Sequence, residues 1–314
     1  MLTVLIATRN GAKTLPLVLD AFTGLKSPTS GWKLVVVDNG STDNTGEIVK
    51  SFQERLPITY AYEGAPGKNS ALNTGLKLIE GDLVVFTDDD VFPRNDWLLR
   101  LRAEADARPE FGVFGGAVMP RWETDPPPWI AWTALGPTFA VTSQDLIDGP
   151  VHASDIFGPN MAIRADVFRR GTRFDPSIGP RGTSYAMGSE TELVRRLLRE
   201  GHKAWHIRDA MVEHYIRDSQ MTQAWIMARA IRFGRGQYRL AYVTSPSKVP
   251  VWMGAPRYLY RALLEQGISV VRSWVCANDE DLFCARWRLN FLKGQFIEAR
   301  ILSRDTTDDK KENL

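Results

Sequence analysis

Three consecutive carboxylates, Asp88, Asp89 and Asp90, follow directly on an apolar run, Leu83 to Phe86, that is rich in β-branched residues. Such a run, preceded by Gly81-Asp82, reads as a buried strand. Like charges crowded at a strand end repel unless a cation neutralises them. Hard oxygen ligands suit Mg²⁺ or Mn²⁺, and Mg²⁺ is usually held by one or two carboxylates together with substrate phosphates. The same acids also read as a solvated turn ahead of a helix that Asn95 or Asp96 can cap, with Trp97, Leu98 and Leu101 on one face. A further acid, Glu190, stands in Ser189-Glu190-Thr191-Glu192, just before the stripe Leu193, Val194, Leu197, Leu198. Ser-x-x-Glu ahead of such a stripe is a capping box. That motif uses Ser189 and Glu192 and leaves Glu190 over, an ionised carboxylate in a first helical turn and suited to a general base. His214, in Glu213-His214-Tyr215, is a lone histidine and by itself reads as structural.

The elements that must position these groups alternate. Residues 2–7 form an apolar strand that ends in Thr8-Arg9-Asn10-Gly11. Thr14 can cap the next helix, with Leu15, Val18, Leu19 and Phe22 inward. Residues 34–37 repeat the pattern and end in Asp38-Asn39-Gly40-Ser41-Thr42-Asp43; a helix capped by Ser41, Thr42 or Asp43 follows. A weaker strand at 58–62, a loop at 64–67 and a helix through Ala71, Leu72, Leu76 and Ile79 lead to the strand before Asp88. This order predicts a three-layer α/β sandwich with a mostly parallel central sheet and right-handed crossovers. Thr8, Asp38 and Asp88 would then line one edge of the sheet, where ligands bind in such folds.

Composition narrows the class. The 314 residues are 44% hydrophobic and 24% charged, with a formal net charge of +2, as in an ordinary globular protein. Two cysteines, Cys276 and Cys284, fit neither a disulfide framework nor a zinc pattern and suggest reduced thiols in a cytoplasmic setting. MLTVLIATRNG lacks a basic start, so no signal peptide is expected, and no apolar run is long enough to span a bilayer. There is no G-x-x-x-x-G-K-[ST], and ATRNGAKT is not G-x-G-x-x-G, which excludes a P-loop and a dehydrogenase fingerprint. DNGSTDNTGE lacks the glycine of a calcium loop at its sixth position, Asp43.

The second half is less regular. A strand is expected at 113–118, another at 158–163, and two short ones at 204–207 and 211–212. Residues 121–132, RWETDPPPWIAW, leave two readings open for Trp129 and Trp132: packing of a crossover, or a stacking wall for an acceptor. The glycine-rich stretch 171–188 reads as a flexible flap. Beyond 217, a helix at 222–233 is expected to break or kink at Gly234-Arg235-Gly236, followed by a linker at 245–256 and amphipathic helices at 257–275 and 281–302. Arg257, Tyr258, Arg261, Arg272 and Trp274 suit either a helical hairpin packed on the protein or an anionic membrane surface. The division expected is 1–220 catalytic, 221–304 helical, with acceptor, membrane-surface or dimer contacts, and 305–314 a disordered tail.

Seven segments occur in an order that resembles the large family-2 glycosyltransferases of the GT-A fold: ATRNGAKTL, VVVDNGSTDNT, GKNSALNTGL, GDLVVFTDDDVFP, GPNMAIRADVF, GSETELVRRLLREG and VEHY, over roughly residues 2–216. The resemblance implies a metal-dependent inverting transferase of hexosyl type that uses Mn²⁺ or Mg²⁺. It would move sugar from a nucleoside-diphosphate donor, a UDP-sugar foremost, to a glycan or glycolipid hydroxyl in polysaccharide or glycolipid synthesis. It implies that Thr8 and Asp38 contact the base, with Arg9 and Asn10 in the same loop. Lys68 would lie near base or phosphates, with Asp88 at the ribose, Asp89 on the nucleotide side, and Asp90, aided by Asp88 and His214, at the metal. Glu190 inherits the base role from the second acid of a Glu-Asp pair, here Ser189-Glu190, with Glu192 a substitute on the acceptor side. No nucleic-acid partner is implied; a homodimer and a peripheral place on the inner membrane face stay open. The rival class is a catalytically silent sugar-nucleotide or glycan-binding scaffold.

Overall fold

The computed structural model describes residues 1–182, 184–244 and 249–312, with side chains described except at 243–244 and 305–312. These residues form two compact units: Met1–Glu123, Phe139–Pro176 and Ser189–Ile216 in the first, and Thr124–Thr138, Ser177–Gly188 and the chain from Arg217 onward in the second.

The first unit opens with the expected alternation: β1 (Leu2–Thr8), α1 (Leu15–Thr23), β2 (Trp32–Asp38), α2 (Thr45–Ser51), β3 (Ile58–Tyr62), α3 (Lys68–Gly75) and β4 (Leu83–Thr87). A short β5 (Val91–Pro93) precedes α4 (Trp97–Ala107), β6 (Val113–Trp122), α5 (Leu135–Phe139, all but Phe139 in the second unit), β7 (Gly149–Pro150), β8 (Met161–Arg164), α6 (Ala165–Arg169), α7 (Ser189–Arg199) and β9 (Ala204–Ile216). The sheet runs β3-β2-β1-β4-β8-β6-β9-β5, with β7 also on β9. The strands from β3 to β4 pair in parallel, whereas β8 is antiparallel to both neighbours and β5 and β7 are antiparallel to β9. The sheet as a whole is therefore mixed, its parallel half being the part that the alternation of apolar runs and helices specified.

Those runs look uniformly apolar because both faces of the sheet are covered. Side chains alternate across a strand, and the alternation divides each run between two cores. Val4, Ile6, Leu34, Val36, Leu83 and Val85 face α1, α2 and α4. Leu5, Val35, Val37, Val84 and Phe86 face α3, α6 and α7. The caps differ from expectation. Thr14 and Asp96 stand at helix starts without a side-chain cap bond, and α2 starts after Asn44, with Ser41 turned to the neighbouring loop and Asp43 divided between the Ala12 amide there and the Thr45 amide at the head of α2. Residues 158–160 form a 3₁₀ turn ahead of β8, and the two short strands after α7 are one, β9.

Asn160 fixes the junction of the two halves. It is fully buried. Its amide donates to the Ala117 and Ala210 carbonyls at 2.9 and 2.7 Å, and its oxygen accepts from the Trp97 indole at 2.9 Å.

In the second unit α8 (Gln223–Thr244) runs without interruption, followed by a two-residue ribbon, β10 (Val251–Trp252) with β11 (Ala255–Pro256), and by α9 (Arg257–Val275) and α10 (Asp279–Glu312). The helix therefore does not break at Gly234-Arg235-Gly236; the glycines serve close approach instead. A Cβ on Gly234 would lie 2.0 Å from the Phe291 carbonyl oxygen, one on Gly294 2.1 Å from that of Ile231, and one on Gly236 1.8 Å from that of Met187. Between α8 and α10, the fully buried Glu298 accepts from Arg235 at 2.8 Å and from Arg239 at 2.5 Å. The same guanidiniums donate to Ser184 at 2.6 Å and to Ser177 at 3.1 Å. Of the stretch read as a flap, Ser177 and Ser184 are thus tied down in this unit, and Met187 adds a backbone bond to the Arg232 carbonyl at 3.1 Å. Of the linker, residues 245–248 lie outside the described residues, as do 313–314 of the expected tail; α10 continues to Glu312 where that tail was placed to begin at 305. No helix among the described residues is long and apolar enough to cross a membrane.

Replacing Asn160 by Ala leaves two buried carbonyls and one indole N–H without this partner, each a loss of about 1–3 kcal/mol. Chemical denaturation should show Asn160→Ala and Asn160→Asp both destabilised by about 3 kcal/mol or more. The Asp variant keeps the acceptor but neither donor, so a near-neutral result for it would remove Asn160 from this role.

Candidate active site

The strand order reverses between β1 and β4. In open α/β sheets the crevice at the carboxyl ends of such strands receives ligands. Thr8 and Asp38 end β1 and β2 as register partners, and the Asp88–Asp90 turn follows β4. The loops beyond β1 and β2 are stitched together. Asn10, at φ +54°, accepts from the Thr42 amide at 2.8 Å, and its own amide donates to Ser41 Oγ at 2.9 Å. The Ala12 amide donates to Asp43 at 3.2 Å. The Thr45 hydroxyl and the backbone N–H groups of Thr45, Ala12 and Asp43 itself hold the Asp43 carboxyl below its usual range. Asp38 accepts from the Ser41 amide at 2.8 Å and from the Tyr60 hydroxyl at 3.2 Å. Burial, with the Asp38 carboxylate beside it, pushes the Tyr60 phenol up. Arg9 is exposed in the same loop. Thr8 Oγ1 donates to Asp89, across β1 and β4.

The three acids of the turn have separate partners. The Lys68 ammonium, from the start of α3, lies 2.6 Å from Asp88 Oδ1 and 3.1 Å from Glu190 Oε1. The side chains of Lys68, Asp88 and Glu190 are 18%, 22% and 20% exposed, so little water screens the pair. Burial opposes the charge on Lys68, but the two carboxylates outweigh it and drive its pKa up. Burial likewise pushes Glu190 up, yet Lys68, the helical N–H and Ser189 overcome that and leave it below the ordinary carboxylate value. Ser189 Oγ donates to Glu190 Oε2 at 2.8 Å. With Leu72, Phe86, Thr87, Gly158, Met161 and Phe174, the three charged groups line a small cleft.

The capping box read from Ser189-x-x-Glu192 is not what these residues form. Ser189 is buried as the first helical residue and serves Glu190, while Glu192 takes both of its oxygens to Arg196 at 3.0 Å, a bidentate pair that replaces a single cap bond. Glu190 is further confined by Gly158, where a Cβ would sit 2.5 Å from Glu190 Oε1. The Thr87 hydroxyl, donating to the Pro159 carbonyl at 2.8 Å, holds that turn to the end of β4. Gly158 and Ser189 are functional neighbours that sequence patterns did not single out. Gly158 was read only as the start of the strand expected at 158–163, and Ser189 already had an explanation as a cap.

Asp90 stands apart from Asp88. Its Oδ1 is 3.6 Å from His214 Nε2, with side-chain exposures of 13% and 12%. His214 Nδ1 lies 2.6 Å from the Phe139 carbonyl. A carbonyl only accepts, so Nδ1 carries a proton, and Nε2 faces the carboxylate. A histidine whose second nitrogen is held by a backbone carbonyl is the usual arrangement of a metal ligand. The donor set therefore fits a divalent cation. Among the described residues no three His, Cys, Asp or Glu side chains cluster for a metal, so the expected grouping of Asp88, Asp90 and His214 is not formed. Its reason is the Lys68 ammonium, which takes Asp88. Two protein donors at Asp90 and His214 suit an ion that completes its shell with phosphate and water. Trp129 and Trp132 belong to the second unit, where both rings pack on Phe283 with centroids at 5.6 and 5.9 Å.

Residues 3–171 match the family described as Glycosyl transferase family 2. Glycosyltransferase AglE of Haloferax volcanii is 36% identical over 100 residues, 31% of this chain and 33% of that protein. The chain thus spans about a third of that relative's length, and its match with the validoxylamine A glucosyltransferase of Streptomyces hygroscopicus, 32% identical over 37% of this chain, covers 28% of that protein. Among solved structures, the mannosyltransferase PcManGT from Pyrobaculum calidifontis, in complex with GDP-Man and Mn²⁺, superposes with a TM-score of 0.65 at 19% identity, covering 95% of this chain and 86% of that one. At that identity the likeness concerns the fold, which is of the GT-A type.

The ion pairs set a pH window for stability. Glu190, lowered from 4.5, contributes above that pH and its contribution is lost as pH falls through the lower folded value; Lys68, raised from 10.5, contributes below that pH and is lost only above it. Lys68→Met should cost about 3 kcal/mol near neutrality, because two buried carboxylates lose their cation. Only Ser189 and the helical N–H then oppose the burial of Glu190, which takes up a proton more readily, so the deficit should shrink as pH falls towards 4.5. Melts at neutral and acid pH check this; an equal deficit at both would contradict the pairing.

Proposed function

The chain belongs to Glycosyl transferase family 2, and from that premise we propose that it moves a sugar from a nucleoside-diphosphate donor to an acceptor hydroxyl with inversion at the anomeric carbon. The observation that carries this reading is the Lys68 ammonium held between Asp88, at the end of β4, and Glu190, at the start of α7. It links an acid of the nucleotide crevice to a carboxylate with the protonation state of a base. The PcManGT complex contains GDP-Man, and a TarS structure from S. aureus, TM-score 0.55 and 14% identity, contains UDP-GlcNAc. Both are nucleoside-diphosphate sugars, and here a UDP-sugar is the first to test, with a glycan or glycolipid as acceptor.

In this reading Asp38, Thr8 and the stitched loops of Asn10 and Ser41 frame the base and ribose. Asp90 and His214 would hold Mn²⁺ or Mg²⁺, which when bound offsets charge on the departing diphosphate. Lys68 is placed to exchange its carboxylates for diphosphate oxygens. Once it does, Glu190 Oε1 loses its cation while Ser189 still holds Oε2, so the free oxygen gains basicity as the donor binds. Glu190 then takes the proton of the acceptor hydroxyl. The acceptor oxygen forms its bond to C1 as the bond from C1 to the diphosphate oxygen breaks, and the nucleoside diphosphate leaves. Burial of Glu190 among Gly158, Phe174 and Met161 limits water at the same position.

Glu190→Gln keeps the size of the side chain and removes its basicity. General-base assistance is worth about 10²–10⁴-fold, so transfer should fall by at least about 10² while calorimetry still detects donor binding. Glu192→Gln weakens the Arg196 pair and should keep most of the transfer rate; the opposite ranking would reassign the base.

Asp90→Ala should lose the Mn²⁺-dependent part of nucleoside-diphosphate affinity with little change in melting temperature, since a turn carboxylate leaves the core intact. Titration of UDP and GDP with and without Mn²⁺ measures it; unaltered metal dependence would remove Asp90 from the ion.

A further inference from the structure

Most of the exposed large hydrophobic side chains in this protein fall in 251–275. On α9, Leu264, Ile268, Val271 and Val275 are 68%, 62%, 59% and 71% exposed, with Trp274 beside them at 70%. The opposite side of the helix is spent inside the unit. Leu259 is buried, Tyr260 packs on Phe296 of α10 with ring centroids at 5.0 Å, and Gln266 donates to the Ala285 carbonyl at 3.2 Å. The exposed positions advance by four, three and four residues, the spacing of a coiled-coil seam. Gly267 borders that seam with nothing within 4 Å of a Cβ built on it, which admits close approach of another helix.

Charge is unequal along this surface. Arg257 and Arg261 stand at the first turns of α9, whereas at its other end the single Arg272 is followed by Asp279, Glu280 and Asp281, which open α10, so that this end is net acidic; all six are exposed. A surface basic at one end and acidic at the other matches an inverted copy of itself better than it matches an anionic lipid. We infer that this face is an isologous interface between two copies of the chain, with the two α9 helices antiparallel. With Ile268 opposite Val271 of the other copy, Leu264 comes opposite Val275, and Arg257 and Arg261 approach the acidic turn. Arg261 now pairs with Glu265 at 2.7 Å, but at 83% and 59% exposure that pair is weak in water and readily exchanged. Two such faces together cover on the order of 1,200 Å², the lower bound for a stable interface. This inference goes beyond the transferase reading and does not depend on it.

Sedimentation equilibrium of the full chain tests it. A dimer is expected at micromolar concentration, at least ten-fold weaker in Ile268→Glu with an unchanged circular dichroism spectrum. Arg257→Glu with Arg261→Glu should weaken it at low salt, and adding Asp279→Lys and Asp281→Lys should restore it, because only an antiparallel pairing joins those ends. A chain that stays monomeric, an Ile268→Glu dimer as tight as the parent, or failure of the four-fold charge exchange to restore association overturns the proposal. So does a monomer that floats with phosphatidylserine-containing vesicles, which would give the face to lipid.

Discussion

One ammonium group, that of Lys68, carries the arrangement of the site. It stands between carboxylates about a hundred residues apart in sequence, Asp88 and Glu190, in a place where little water reaches either. Three elements from one side of the sheet, α3, β4 and α7, are held to this contact. Backbone features around it serve the same end. Gly158 makes room for the Glu190 carboxylate, Thr87 holds the Gly158 turn to β4, and Asn69 and Asn73 of α3 bind the Asp175 and Phe174 carbonyls at 2.8 Å. A buried charge cluster of this kind contributes less to net stability than to holding one geometry.

How much of this could be read from the sequence depended on the range of the interaction. The parallel half of the fold was legible because each strand there carries its own apolar signature and ends in its own polar loop. Runs such as Leu34–Val37 look the same whether one core or two receive them; only the alternation within the run, seen in three dimensions, divides them. The second half depends on pairings far apart in sequence, so the antiparallel direction of β8, the continuity of β9 and the small β5 had no local marker.

The local rules failed where a side chain had a better partner elsewhere. Ser189 and Glu192 satisfy the spacing of a capping box, but one serves the adjacent Glu190 and the other Arg196. Gly234-Arg235-Gly236 satisfies the rule for a helix break, yet packing against α10 and the 177–188 segment demands small residues at those positions without ending the helix. Asp88 was marked as a site residue from its place at a strand end, but its pairing with Lys68 is a contact that spacing does not encode. His214 carried no signal of its own; its orientation comes from the Phe139 carbonyl, contributed by a distant part of the chain.

The buried Glu298 bears on how far this protein can be taken apart. Its two oxygens each meet a guanidinium from α8, and the glycines of α8 and α10 bring the two backbones nearly into contact. Neither helix is finished without the other. Ending the chain between α8 and β10 would not remove an appendage; it would leave the buried Arg235 and the half-buried Arg239 beside an empty groove, with no carboxylate between them. Arg235 and Arg239 also hold Ser184 and Ser177, in the stretch that leads directly into Ser189 and Glu190. The last long helix, far from Ser177 and Ser184 in sequence, is in this sense one of their supports.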